Sequence, residues 1–188
     1  MGANSRSAGG RAEGISIVAA GMRSALTSEF WRAYREAAGL HHDDYDVVTF
    51  GDSAAMTTEL AELVVGGIKR ATAGLARQFG PDREPPPIVG GHVVLLDGSG
   101  CPRAIWRTTE LRIGPLNSVD ERFAWDEGEG ERSREWWLTA HRRFFGRRAA
   151  AQGFQMDDEI ETMFERFGIV WPPEIADISS SSAEPAAK

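Results

Sequence analysis

Cysteine is almost absent. The 188 residues hold one, Cys101, which excludes an internal disulfide framework and any cysteine-based zinc site. The composition is that of a reducing compartment, so a cytoplasmic location is expected. Long apolar runs are missing too: none approaches about 18 residues, and no membrane span is expected. Basic charge is in deficit, with 21 Lys plus Arg against 28 Asp plus Glu and a net charge of −7. Such a balance argues against a coat-like nucleic-acid binder, which carries a basic face. A local basic patch remains open, because a patch matters more than the total. There is no internal repeat, no nucleophile elbow and no phosphate loop of the Gly-Lys-Ser/Thr type. His41-His42-Asp43-Asp44 matches a metal cluster in composition but not in ligand spacing, so it reads as a polar loop. No metal and no organic cofactor is expected.

What is present is ordinary for a globular domain: 41% hydrophobic and 26% charged residues, in a length suited to one domain. Residues 1–24 are rich in Gly, Ala, Ser and Arg and are expected to form a disordered leader. The apolar run Ile15 to Ala20 is too short for a secretory signal. Pro172-Pro173 stops the last element, leaving 174–188 as a small, polar tail. The folded unit is then residues 25–173, and trimming both ends should shift the melting temperature by about two degrees at most.

Inside that unit, helices and strands alternate irregularly. A first helix starts at Thr27 or Ser28 as N-cap, carries Phe30, Tyr34, Ala37 and Ala38 on one face and ends at Gly39. A second starts at Ser53, with Met56, Leu60, Leu63 and Val64 in helical spacing, and stops at Gly66-Gly67. Pro85-Pro86-Pro87 marks an extended loop. Val93 to Leu96 and a strand through Ile105, Trp106 and Leu111 flank the turn Asp97-Gly98-Ser99-Gly100. A third helix runs from Arg134 to Ala150 behind Ser133, with Trp137, His141, Phe144 and Phe145 on its apolar side. A short acidic helix is expected from Asp157 to Phe164, then a half-buried strand with Phe167, Ile169 and Trp171 alternating. The class is α+β with a small barrel-like sheet.

Three places carry possible chemistry. Lys69 and Thr72 follow the glycines that end the second helix, where backbone can approach a ligand. A Lys enclosed in a cleft supplies a base or nucleophile, while an exposed one merely complements the helix dipole. Residues three apart face opposite ways on a regular strand, so this pair shares a cleft only across a bulge or turn. Glu110 closes the polar run Arg107-Thr108-Thr109 within a strand, either as an outward solvated group or as an inward proton shuttle. The loop Glu127-Gly128-Glu129-Gly130-Glu131-Arg132-Ser133 shapes a pocket wall, or simply caps the helix that follows. His141, one turn beyond Trp137, is a packed core histidine or a ligand contact.

Taken in order, four blocks resemble an ASCH-domain protein of the PUA-like superfamily, in its longer bacterial branch. They are Phe50-Gly51-Asp52, the run Gly67 to Ala73, Leu96-Asp97-Gly98 leading to Thr108-Thr109-Glu110, and Glu127 to Ser133 with Trp137, His141, Phe144 and Phe145. Glu165-Arg166-Phe167 fits as well, and the match spans residues 28–171. The resemblance implies a PUA-like β-barrel of about five or six strands with flanking helices. It also implies a cleft for a modified nucleoside or single-stranded RNA. In the compact branch a Lys, a Thr three residues on and a Glu on a barrel strand hydrolyse the acyl amide of N4-acetylcytidine. Those positions match Lys69, Thr72 and Glu110. Ribonuclease activity ascribed to longer members implicates the Lys and a loop serine, here Ser133. Gly67, Asp52, Glu127, Gly128, Glu131, Trp137 and His141 are the expected substrate contacts. An N4-acylcytidine amidohydrolase or a ribonuclease is the expected activity, and a non-catalytic RNA-binding module is the rival. No obligate protein partner is expected.

The rival makes a prediction of its own. If RNA backbone lies on the third helix, replacing Arg142, Arg143, Arg147 and Arg148 weakens binding equally for all sequences and flattens its salt dependence. Unchanged affinity in a filter-binding titration removes this helix from the RNA surface.

Overall fold

The last strand among the described residues lies inside the sheet, where it joins the longest strand to an edge strand. The computed structural model describes residues 18–177, residue 82 excepted. Six strands are present among them: β1 (Val18–Ala20), β2 (Asp46–Phe50), β3 (Ala71–Leu75), β4 (His92–Leu96), β5 (Pro102–Pro115) and β6 (Glu161–Trp171). They form one sheet in the order β1-β2-β4-β5-β6-β3. Only β2 and β4 pair in parallel; every other neighbour is antiparallel. The edge strands β1 and β3 come into contact, so the sheet curls into a half-barrel.

Four helices accompany it: α1 (Ala25–Ala38), α2 (Ala54–Val65), α3 (Glu121–Glu127) and α4 (Arg134–Gln152). α1 lays Trp31 and Tyr34 against Val47, Val94 and Ile105. α2 packs Leu60 and Val64 beside Phe50, Trp106 and Phe167. α3 and α4 bury Phe123, Trp137 and Phe145 with Leu75 and Phe164. Each helix thus covers its own stretch of sheet with an apolar stripe. No helix among the described residues is long and apolar enough to cross a membrane.

Several expectations are corrected. Residues 161–164 are not helical but the start of β6, and 157–160 form no helix. β6 is covered on both faces, so its burial runs almost without interruption and the two-residue alternation fades. That is why its first half mimics a helix start. α1 is capped by Ser24, not by Thr27 or Ser28: Ser24 and Thr27 form a reciprocal capping box, and Thr27 is buried. The leader boundary at residue 24 gives way, since Val18–Ala20 pair with β2 and Gly21 N–H donates to Val47 O at 2.6 Å. Residue 174 is not the start of a loose tail either. Ile175 packs on the core, and Asp177 accepts the Ile169 N–H at 2.8 Å and pairs with Arg70 at 2.5 Å. Residues 1–17 and 178–188 lie outside the described residues.

Ser24→Ala removes the cap, a loss of about 1 kcal/mol, which lowers the melting temperature by about 2–4 °C for a chain of this size. Trimming through residue 24 takes β1 as well and lowers it further. Equal melting temperatures for the trimmed and full chains in calorimetry would show that β1 contributes nothing.

Candidate functional site

A cavity of about 290 Å³ opens between the sheet and α4. Its sheet side carries Thr72 of β3, Trp106 of β5 and Glu165 of β6, and its helix side carries Phe144, Phe145 and Arg148. The strand register brings the polar groups together. Thr72 lies opposite Glu165, so the two side chains share a face. Trp106 and Thr108 are two apart on β5 and point the same way. Thr108 Oγ1 donates to Glu165 Oε1 at 2.6 Å, and Trp106 Nε1 donates to the same oxygen at 3.2 Å. Burial pushes this carboxyl above the ordinary carboxylate value, outweighing the two hydrogen bonds that lower it, and the Asp46 charge acts in the same upward sense.

Beside the cavity, and closed off from solvent, sits a second polar cluster. Lys69 is fully buried at the turn between α2 and β3. Its Nζ donates to Glu129 Oε1 at 2.7 Å and to Glu127 O at 3.3 Å, with Glu127 Oε1 at 3.8 Å. Trp137 Nε1 donates to Glu127 Oε2. His141 stacks on Trp137 with ring centroids 3.6 Å apart, and its Nδ1 lies 3.0 Å from Trp137 O, one helical turn back. That contact makes Nδ1 the protonated nitrogen and leaves Nε2 as an acceptor, 3.8 Å from Glu127 Oε2. Burial pushes Glu127 up to about 8 against the pull of Lys69, and pushes His141 down to about 3. The cluster is consistent as a neutral set: one ion pair, one protonated carboxyl and one neutral imidazole.

Two glycines let the loop after α3 close over Lys69. Gly128 has φ of 75°, and a Cβ there would sit 2.6 Å from Ile68 O. At Gly130, φ of 54°, a Cβ would run into the Trp136 indole. Arg132 takes φ of 61° and is held by two bonds to Trp125 O and by stacking on the Trp125 ring.

This geometry meets a family. The ASCH domain model matches residues 46–171, from the first residue of β2 to the last of β6. The chain belongs to the ASCH-domain family. Its fold is likewise that of the crystal structure of an ASCH domain from Lactobacillus crispatus JV V101, with a TM-score of 0.71 and 26% identity over 78% of this chain and 94% of that one. A crystal structure of a protein from Enterococcus faecalis V583 superposes with a TM-score of 0.69 and 33% identity over 77% and 92% of the two chains. No curated protein matches the chain. The half-barrel with its helices is thus a PUA-like fold of the α+β class.

Within this ASCH domain the expected site residues separate into three groups. Thr72 lines the cavity. Lys69, Glu127, Trp137 and His141 meet one another in the buried cluster, with Gly128 closing the loop above them and Gly67 in the turn before Lys69. Asp52, Glu131 and Glu110 are exposed, and Ser133 is the N-cap of α4, accepting the Trp136 N–H at 3.2 Å. Lys69 and Thr72 therefore do not share a cleft. Glu110 does not reach the cavity because β5 and β6 shift register between Thr108 and Glu110. Regular alternation would put both on one face; the bulge turns Glu110 outward, 3.5 Å from Arg166. Glu165 holds the inward position instead. It was legible: Phe167, Ile169 and Trp171 alternate on β6, and two residues back along that pattern stands Glu165. The roles of Glu129 as partner of Lys69 and of Arg148 on the cavity wall left no such trace. Among the described residues no group of three or more His, Cys, Asp or Glu is placed to hold a metal ion.

The buried cluster predicts a pH dependence. In the folded chain Glu127 stays protonated up to about 8, whereas its ordinary value is 4.5, so the native state holds an extra proton between them. Stability from this group is full below 4.5 and falls as pH rises through that window. His141 acts the other way, costing stability as pH drops from 6.5 toward about 3, and is silent above 6.5. Between pH 6.5 and 8 the wild type is therefore expected to lose melting temperature. Glu127→Gln keeps an acceptor for Trp137 and should flatten that slope. Parallel slopes for the two proteins would show that Glu127 does not titrate in this range.

Proposed function

We propose that this ASCH-domain protein recognises a nucleobase, as a modified nucleoside or within a short RNA, in the half-barrel cavity and hydrolyses an acyl amide on it. The observation that carries the reading is Glu165: a buried carboxylate with a raised pKa on the wall of a ring-lined cavity. Perturbed carboxylates in clefts are where proton transfer is done. At about 290 Å³ the cavity is at the small end of ligand sites, which suits a single base better than an extended chain.

Glu165 takes the proton of a water as the water oxygen bonds to the acyl carbon. The tetrahedral centre then collapses, the C–N bond breaks, and Glu165 returns the proton to the leaving amine. Thr72, directly across β3–β6 from Glu165, orients the amide. Trp106 and Thr108 hold the carboxylate by Oε1 and so fix its orientation on the cavity wall. Lys69 works from behind: its bonds to Glu129 and to the Glu127 carbonyl anchor the loop from which α4 starts. The rival, RNA binding by the α4 arginines without turnover, is weakened because Arg142 is held by both carboxylate oxygens of Asp158 at 2.7 Å.

Single-turnover hydrolysis of N4-acetylcytidine tests the reading. Glu165→Gln retains an acceptor for Thr108 and Trp106, so the fold should survive while turnover drops by roughly two to four orders of magnitude. Wild-type turnover should rise with pH through a value above the ordinary carboxylate range, because only the ionised Glu165 accepts the first proton. Glu110→Gln, on the outer surface, should turn over at the wild-type rate. A folded Glu165→Gln variant with undiminished turnover overturns the mechanism; RNA bound equally by both proteins without cleavage leaves only recognition.

A further inference from the structure

The cavity does not end at its ring-lined part. A second hollow, of about 350 Å³, adjoins it and is lined by Arg77, Gln78, Arg83, Glu84, Arg148 and Gln152. Gln78, Glu84 and Arg148 line both spaces, so the two adjoin. Their characters differ. The inner space is bounded by Trp106, Phe144 and Phe145 with the carboxylates of Asp46 and Glu165, an environment that repels an anion. Among the described residues the outer one is bounded by polar side chains, three guanidinium groups against one carboxylate.

None of these three arginines forms an ion pair among the described residues. Arg77 lies over the Phe154 ring, 3.8 Å from its centroid, and Arg83 donates to the Arg77 carbonyl. Arg148, at the junction, buries its Nη1 with no hydrogen-bond partner. A buried donor without an acceptor is costly, so the position suits a ligand that supplies one.

We propose that the outer hollow is a phosphate subsite, and that the ligand of this protein is a nucleoside carrying a phosphate on its sugar rather than a free nucleoside. The proposal rests on the inner cavity holding the base. Arg148 Nη1 and Arg83 bond the phosphate oxygens, Arg77 adds charge from the rim, and Glu84 sets a limit by repelling a second anionic group. The charge gradient fixes the orientation: base inward past Trp106, phosphate outward. A terminal phosphomonoester and a diester within RNA offer the same oxygens to these groups, so either source fits the chemistry.

Calorimetric titration separates the possibilities. The probes are cytidine, cytidine 5′-monophosphate, cytidine 3′-monophosphate, the dinucleotide CpC and inorganic phosphate. The proteins are the wild type, Arg83→Gln/Arg148→Gln, and Arg122→Gln as a control on α3. Wild type should bind at least one phosphorylated probe about ten-fold or more tighter than cytidine, with a preference weakened by salt, as one charge-assisted bond requires. The ratio should fall to about one in the double variant and persist in Arg122→Gln. Tighter monophosphates indicate a terminal monoester, and tighter CpC a backbone diester; both support the subsite. Inorganic phosphate bound by wild type and not by the double variant, with cytidine unbound, supports the subsite and removes the base from the inner cavity. Cytidine bound as tightly as every phosphorylated probe overturns the subsite and leaves the inner reading intact. No binding of any phosphorylated probe or of phosphate overturns it as well. A single Arg83→Gln variant, changed at an exposed position, gives the same comparison if the double variant does not fold.

Discussion

A positive charge with no access to water organises this domain. Lys69 is wholly enclosed, and an ammonium group survives there only if a counter-charge and further acceptors come to it. Glu129 supplies the charge and the Glu127 backbone supplies an acceptor. Both come from the end of α3 and the loop that follows, so the demand of one side chain fixes where α3 stops and where α4 begins. The glycines at 128 and 130 are the steric condition for that approach, since any side chain there meets Ile68 or Trp136. Removing one partner would leave the other as an uncompensated buried charge, which is far more disruptive than never having had the pair.

From that anchor the geometry propagates along a single helix. Trp137 and His141 belong to the buried cluster, and Phe144, Phe145 and Arg148 belong to the cavity wall, all on α4. The ring contact between His141 and Phe145, with centroids 5.4 Å apart, joins the two. On the sheet side Trp106 stacks on Phe50 and Phe167, and the Phe50 ring is in turn 5.2 Å from the Lys69 ammonium. The cavity is therefore framed by groups in contact with the cluster around the same buried charge.

Much of this was readable from residues in order, and the failures have physical causes. α2 and α4 carry their caps and apolar stripes openly, and the turn after β4 announces itself by Asp97 to Gly100. The family resemblance pointed to the curled sheet with its helices, whereas the loop 127–133, expected as a pocket wall, closes over Lys69 and does not line the cavity. β2 and β3 escaped notice because strands of five residues, buried on most positions, show no alternation to read. Glu110 misled because a bulge of one residue reverses every face beyond it, and no residue type at Thr109 signals a bulge. The separation of Lys69 from Thr72 follows from β3 starting only at Ala71, which leaves Lys69 in the connection after α2 and puts Thr72 on the strand, a boundary too fine for propensity to locate.

The position of β6 shapes how the molecule comes to be built. It is the last strand of the sheet to leave the ribosome, yet it lies between β5 and β3 and joins them. Until it arrives, the fourteen-residue β5 and the five-residue β3 each present an unpaired edge. Those are the edges on which nascent chains associate wrongly. A chain interrupted before residue 161 is thus not a shorter version of this domain but an open sheet lacking its keystone, with Trp106 and Thr108 left facing no carboxylate. The residue that completes the cavity and the strand that joins β5 to β3 arrive together, so a chain with its cavity complete is also one in which those two edges are already paired.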